Sequence, residues 1–437
     1  MPKDSQIVLV PAGRSFFGKG RPALRYFNLI LALSQFPVGL KRKVALLFCG
    51  SLVALVALFS RPLYHFPASA ELRRKANYLE RIIRQPVGEN AELESLGNAE
   101  WSLFTMSYAA YAFTNMASQD SSFRPEAAHY VSLAIGHLVT GPLAEAFRTS
   151  AAAVPAGSVT SVLYLGHLNL MLGCHRLLNP NSPYATLHDT LSAVLHRRLA
   201  SAPNHCLESY PGGTWVPDNT VALASLQLHS DLTGSPYNRF CAEWTAYARH
   251  HLTDPKTGLL LSKPATRHQP PEEPRGSHLG WSIFFLYRFA PAFAAEQYRR
   301  YQQEFSTNLG VIRLYRERAG AYETNEGDVD SGPLILGYSI PANAFAFGNA
   351  VAMGDWRNAQ RLRRVICFGS REVVAGTEQR YAMRFVELPV SPLAEALLLH
   401  AETMTPWRVA ATSAAAPTAR QQCSWHPAAA PQSARPR

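Results

Sequence analysis

Glu208-Ser209-Tyr210-Pro211-Gly212-Gly213-Thr214-Trp215-Val216-Pro217-Asp218-Asn219 runs directly into the apolar stretch Thr220–Leu232. Paired glycines and spaced prolines mark a loop, and the run behind it has the length and composition of a helix. A second stretch repeats the plan about a hundred residues on: Glu323-Thr-Asn-Glu326-Gly-Asp328-Val-Asp330-Ser-Gly-Pro333, again leading into an apolar segment. Acids and aromatics placed just ahead of helices sit at positive helix ends. The two loops are therefore expected to face one another at one end of a helical barrel and to form a site there.

Working outward, residues 70–405 read as helix after helix. The expected helices are Glu71–Gln85, Glu100–Met116, Pro125–Leu138, Val159–Leu178, Tyr184–Ala200, Asp218–Leu232, Tyr237–Leu252, Ser277–Phe289, Ala294–Phe305, Ser331–Met353, Trp356–Cys367 and Pro392–Met404. Extended segments are few: Gly258–Ser262, Val311–Glu317 paired with Ala321–Thr324, and Arg380–Glu387. Short-looped helix pairs without self-similarity at solenoid periods predict an all-α fold, an (α/α)6 toroid or barrel with a few short β-hairpins.

The chain has 437 residues and a net charge of +11. That charge is confined to the ends. Residues 1–43 hold eight basic side chains against Asp4, and residues 408–437 hold four and no acid, which leaves 44–407 neutral. A nucleic-acid footprint on the body is thereby excluded. The N-terminal segment 1–43 is basic; Lys41-Arg42-Lys43 then precedes seventeen uncharged residues from Val44 to Ser60. With Tyr64 and Phe66 as interfacial aromatics, residues 44–66 are expected to form a transmembrane anchor, with the body on the extracytoplasmic side of the cell membrane. A cleaved signal ending near Ala68-Ser69-Ala70 and a buried helix are the alternatives. Residues 406–437, rich in Ala, Pro, Ser, Gln and Arg, read as a disordered tail. The six cysteines are scattered with no Cys-x-x-Cys spacing, which argues against a structural zinc site and a dense disulfide framework.

Four stretches carry candidate chemistry. Asp218 sits at the start of its helix, either as a plain cap or as a functional acid backed by Tyr210 and the flat face of Trp215. Asp328 and Asp330, two apart, repel unless one is protonated or paired, which is how acid/base pairs arise. His167 lies early in an apolar helix, as a packing residue or a site residue. Arg275, ahead of Trp281, is placed to hold an oxyanion or one of the acids, and Glu100 opens a helix in the same way. Asp218, Asp328, Asp330 and His167 are the expected catalytic groups. Tyr210, Trp215, Glu100, Arg275 and Trp281 are expected to bind a small-molecule substrate. Nucleotide-binding, zincin and α/β-hydrolase motifs are absent from the sequence, so no cofactor and no metal is expected.

Gly166-His167, the Glu-x-Tyr-Pro…Trp-x-Pro-x-Asn loop and Asp328-Val-Asp330-Ser-Gly-Pro333 together resemble the linalool dehydratase/isomerase-like α/α-barrel family over about residues 90–400. The resemblance implies cofactor-free acid/base chemistry on a small, largely apolar hydroxylated substrate, with His167 in place of that family's histidine. Ser209 and Asp218 stand roughly where the family has two cysteines. The same architecture also suits a glycoside hydrolase or polysaccharide lyase, in which Asp218 opposes Asp328 or Asp330 and aromatics bind sugar rings. A non-catalytic cell-envelope binding protein is the third reading.

Overall fold

The computed structural model describes residues 67–86, 99–150, 161–267, 269–320, 327–328 and 330–407, together with residue 50. The chain divides into two units, Met1–Pro62 and Leu63–Arg437, and all described residues but Gly50 lie in the second. The basic segment, most of the 44–66 span, the strand expected at 321–324 and the tail from residue 408 lie outside the described residues. No described helix is long and apolar enough to cross a membrane.

The second unit is helical. Its helices are α1 (Ser69–Arg84), α2 (Ala99–Gln119), α3 (Arg124–Val139), α4 (Gly141–Ser150), α5 (Val162–Leu178), α6 (Ala185–Ser201), α7 (Val216–Thr233), α8 (Tyr237–His251), α9 (Gly276–Phe289), α10 (Pro291–Phe305), α11 (Ile340–Ala352), α12 (Trp356–Gly369) and α13 (Pro392–Glu402). Two antiparallel hairpins interrupt them, β1 (Ser306–Asn308) with β2 (Arg313–Tyr315), and β3 (Ser370–Ala375) with β4 (Glu378–Met383).

Helices α2, α5, α7, α9, α11 and α13 each pack on the next, and α13 packs back on α2, so the six form a closed ring. Their composition dictates that place. In α5 and α7 buried residues run round the whole circumference, and a helix apolar on every side is stable only when surrounded. Helices α3, α6, α8, α10 and α12 follow their inner partners as an outer layer, and α1 fills the sixth outer place against α13 and α2. The outer helices are two-faced. In α12, Ala359 and Leu362 face inward while Arg357 and Arg361 stay out of the core. Inner helices come very close: a Cβ on Gly348 of α11 would stand 2.3 Å from the Phe284 ring of α9.

A buried ionic cluster ties the ends of the chain together. Lys75 of α1 donates to Glu402 of α13 at 2.9 Å and to Glu372 of β3 at 3.0 Å. Arg363 of α12 reaches the same two carboxylates, each at 2.6 Å. Burial pushes the Glu402 carboxyl up, but Lys75 and Arg363 outweigh it and hold the group below its ordinary range.

Strand β2 pairs with β1, register Thr307 to Leu314, around the left-handed Gly310 (φ 79°), while its expected partner at 321–324 lies outside the described residues. One expectation needs correction. The helix expected from Ser331 begins only at Ile340, because Gly332, Leu336 and Gly337 take positive φ values that no right-handed helix accepts. Helix α4 was not foreseen.

Candidate active site at the mouth of the barrel

The N-terminal ends of α2, α7 and α9 bring Glu100, Asp218 and Arg275 to one end of the ring. Helix α7 starts at Val216, so Asp218 lies inside the first turn rather than at the cap, which is Trp215. The preceding loop is built to hold that geometry. Gly213 N donates to Tyr210 O at 2.9 Å, which closes a turn over Pro211 and the left-handed Gly212 (φ 75°). Asn219 then pins the loop from inside, accepting from Leu207 N at 2.8 Å and donating to Trp215 O at 2.8 Å. Gly213 has no side chain for a reason: a Cβ there would meet the Trp215 ring at 2.1 Å. The Tyr210 and Trp215 rings meet edge to face at 5.7 Å, and Lys263 Nζ lies 4.5 Å from the centre of the Trp215 ring.

The acidic loop is gripped by the start of α9. Arg275, only 4% exposed, donates from Nε to Glu317 at 2.8 Å and from a terminal nitrogen to Asp328 at 2.6 Å. Glu317 also accepts from Ser277 Oγ at 2.7 Å. Asp328 folds its own loop, accepting from Ser331 N at 2.9 Å and Asp330 N at 3.1 Å. His278 Nε2 stands 3.1 Å from Asp330. The repulsion expected between Asp328 and Asp330 is thus met by pairing both.

The carboxyls consequently differ in protonation. Asp218 is buried, and desolvation drives its carboxyl up to about 8; Ser209 pulls it down, while Glu100 and Asp330 push it further up. Burial also raises Asp328, but Arg275 and the Ser331 N–H outweigh that and hold it at about 2. Asp330 is likewise lowered, with His278 and Arg275 overcoming burial. One acid therefore keeps its proton at neutral pH beside another that has lost it. Tyr210 faces the same group, its hydroxyl raised by burial and then by Glu100, Asp218 and Asp330.

Below the acids the ring interior is aromatic. Trp281 meets Phe104 at 4.9 Å, Tyr108 at 5.6 Å and His167 at 5.6 Å. His167 is fully buried, shares Nδ1 with the Tyr111 hydroxyl at 3.0 Å, and is kept neutral by desolvation, which lowers it to about 3. Tyr108 Oη, His167 Nε2 and Trp281 Nε1 are buried without a protein partner. Asp218 acts on Tyr108, so this group lies next to the acids.

The structure brings together Glu100, Tyr210, Asp218 and Asp330 at the mouth, with Trp215 beside Tyr210 and with Arg275 and Asp328 behind Asp330. His167 and Trp281 lie deeper, joined to the mouth through Tyr108. Sequence reasoning did not single out Tyr108, His278 or Glu317. Phe104, Tyr108 and Tyr111 recur at helical spacing on α2, which was the available signal for the first. Glu317 carried none.

No protein-family model matches the chain. Among solved structures similar to it are an α-1,6-mannanase of Salegentibacter sp. (12% identity, covering 77% of this chain and 99% of that one, TM-score 0.47) and a polysaccharide lyase (13%, 75% and 96%, 0.44). A family 105 glycoside hydrolase of C. acetobutylicum gives 11% identity, 76% and 98% coverage and a TM-score of 0.47. These findings correct the resemblance drawn from the loops: no linalool dehydratase/isomerase stands among these structures, and neither thiol of that family is present at Ser209 or Asp218.

Proposed function

We propose that the chain is a carbohydrate-active enzyme that cleaves glycosidic bonds by acid/base catalysis at the mouth of the barrel. One observation carries this reading: a proton-bearing Asp218 and an ionised Asp330 share a site rimmed by Tyr210 and Trp215, with Trp281 deeper in the ring. Glycoside cleavage needs that division of labour, an acid to protonate the leaving oxygen and a carboxylate to activate water or stabilise the sugar cation. Aromatic faces stack on the apolar faces of sugar rings. Glu100 adds negative charge, which favours an oxocarbenium-like transition state.

A hydrolase is favoured over a lyase. Lyase chemistry on a uronate calls for a cation to neutralise the substrate carboxylate, yet Arg275 is committed to Glu317 and Asp328, and Lys263 to Glu272 at 2.9 Å. The engagement of these two cations favours a neutral oligosaccharide as substrate. From the basic triplet Lys41–Lys43 and the uncharged run behind it, we infer that residues 44–66 anchor the chain in a membrane with its body on the extracytoplasmic side; membrane fractionation with and without those residues tests the anchor, and protease protection in intact cells tests the side.

The enzymatic reading is tested by incubating the protein with a panel of neutral and uronate-containing oligosaccharides and following new reducing ends. Asp218→Asn should cut release by at least about a hundredfold while ligand binding survives. Release undiminished in Asp218→Asn, or products carrying a new double bond, would sink the hydrolase assignment.

A further inference from the structure

A second cluster lies away from the mouth. His188 and Asp189 are consecutive on outer helix α6, and His229 is on inner helix α7. Eleven residues separate His229 from Asp218, about 16 Å along the helix axis at ~1.5 Å per residue. The two imidazole rings are 4.8 Å apart, and His229 Nε2 is 2.8 Å from Asp189 Oδ1. One donor atom from each of the three side chains lies within 4.8 Å of the other two.

His188 is the telling member. It is fully buried, and neither of its ring nitrogens has a protein partner. A neutral imidazole carries one N–H and one lone pair, and leaving such groups unpaired in an apolar interior costs about 1–3 kcal/mol each. We propose that His188, Asp189 and His229 bind a divalent transition-metal ion of the zinc or cobalt class, which ties α6 to α7 at the end of the barrel remote from the mouth.

The chemistry of the donors selects that class. Two imidazoles and one carboxylate suit borderline ions, whereas calcium and magnesium take oxygen ligands throughout. As a neutral imidazole with neither ring nitrogen engaged by the protein, His188 has a lone pair to give a metal ion. The Thr233 hydroxyl, 3.3 Å from His229 Nδ1, orients that ring so that Nε2 is the nitrogen turned to Asp189. Arg176 and His229 both bond Oδ1 of Asp189. Both bonds fall on one oxygen, so Oδ2 is left to turn toward an ion, and the 52% exposure of the Asp189 side chain leaves solvent access to a fourth position. Ligand atoms around a tetrahedral ion with bonds of ~2.0–2.1 Å sit ~3.4 Å apart, so binding draws the three side chains inward.

The test is a titration of the metal-stripped full chain with Co2+, reading visible d–d absorption and Tm. One ion per chain with tetrahedral or five-coordinate bands and a raised Tm is expected. Asp189→Asn and His229→Gln should each weaken binding at least tenfold and remove the Tm gain. His188→Gln should do the same; should it fail to fold, the exposed Asp189→Asn still decides the matter. Absence of a one-to-one site, or bands unchanged in Asp189→Asn and His229→Gln, would overturn the proposal. Neither readout needs turnover, so the result is independent of the hydrolase reading.

Discussion

His278 Nε2 stands 3.1 Å from the Asp330 carboxylate, joining the first turn of α9 to the acidic loop. One residue before that helix, Arg275 holds Asp328 at 2.6 Å. The N-terminus of α9 thus grips the loop at two points. It is this grip that keeps Asp330 ionised while Asp218, across the mouth, stays protonated.

His278→Ala should therefore change a pH profile more than a melting curve. Asp330 is held down by His278 first and Arg275 next, against burial. Without the imidazole its carboxyl rises, so the acidic limb of kcat/KM moves to higher pH. Arg275 at 3.6 Å remains to limit the shift. An acidic limb that stays in place would show that Asp330 is not the group titrating there.

The alkaline limb belongs to Asp218. Its carboxyl loses the proton near about 8, so hydrolysis should fall as the pH rises through that value. Asp218→Asn should lower kcat by about 10²–10⁴-fold, the usual worth of general acid catalysis.

The same residue makes a stability prediction of definite sign. An unfolded aspartate titrates near ~3.9, whereas folded Asp218 titrates near about 8. Below the first value both states are protonated and nothing is lost. Between the two, the unfolded chain ionises and the fold does not, so stability falls by about 1.4 kcal/mol per pH unit. Asp218→Asn removes this slope and should gain Tm over wild type from pH 5 to pH 8. Glu395, also pushed to about 8 by burial, titrates equally in both proteins and cancels in the difference. A Tm difference that is flat with pH would place Asp218 among ordinary ionised caps.

Much of the fold is legible in the chain because the inner helices are apolar on all sides. Val162–Leu178 and Val216–Thr233 leave little choice but burial. The stretch 331–339 misleads because its apolar Leu334, Ile335 and Leu336 resemble a helix start, while Ile335 and Leu336 are exposed in a turn. The two loops and the aromatics around them are readable as a site from residue type alone. The protonation of Asp218 is not, since it depends on burial in the folded ring, and neither is Glu317, which acquires meaning only through Arg275 and Ser277. His188 and His229 belong to different helices with no motif spacing, so nothing local links them.

The ionic cluster at the ring closure predicts a large loss from one substitution. Lys75→Met leaves Glu402, fully buried, with Arg363 as its remaining cation. Breaking such a pair costs about 3–5 kcal/mol, to be read as a lowered urea midpoint. The half-exposed Arg81–Glu378 pair at 3.0 Å is the control, and Arg81→Ala should cost under about 1 kcal/mol. Equal losses at the two sites would mean that Lys75 does not close the ring.

Gly213→Ala tests the aromatic platform without touching an acid. The new Cβ would meet the Trp215 ring at 2.1 Å, so the ring must leave its place against the loop and against Tyr210. Asp218 is held separately, by its place in the first turn of α7. A displaced platform should weaken oligosaccharide binding about tenfold, about 1.4 kcal/mol, and raise KM while kcat holds. Trp215→Ala should give the same pattern. A fall in kcat with unchanged KM in both variants would mean that Trp215 positions the acid rather than the sugar.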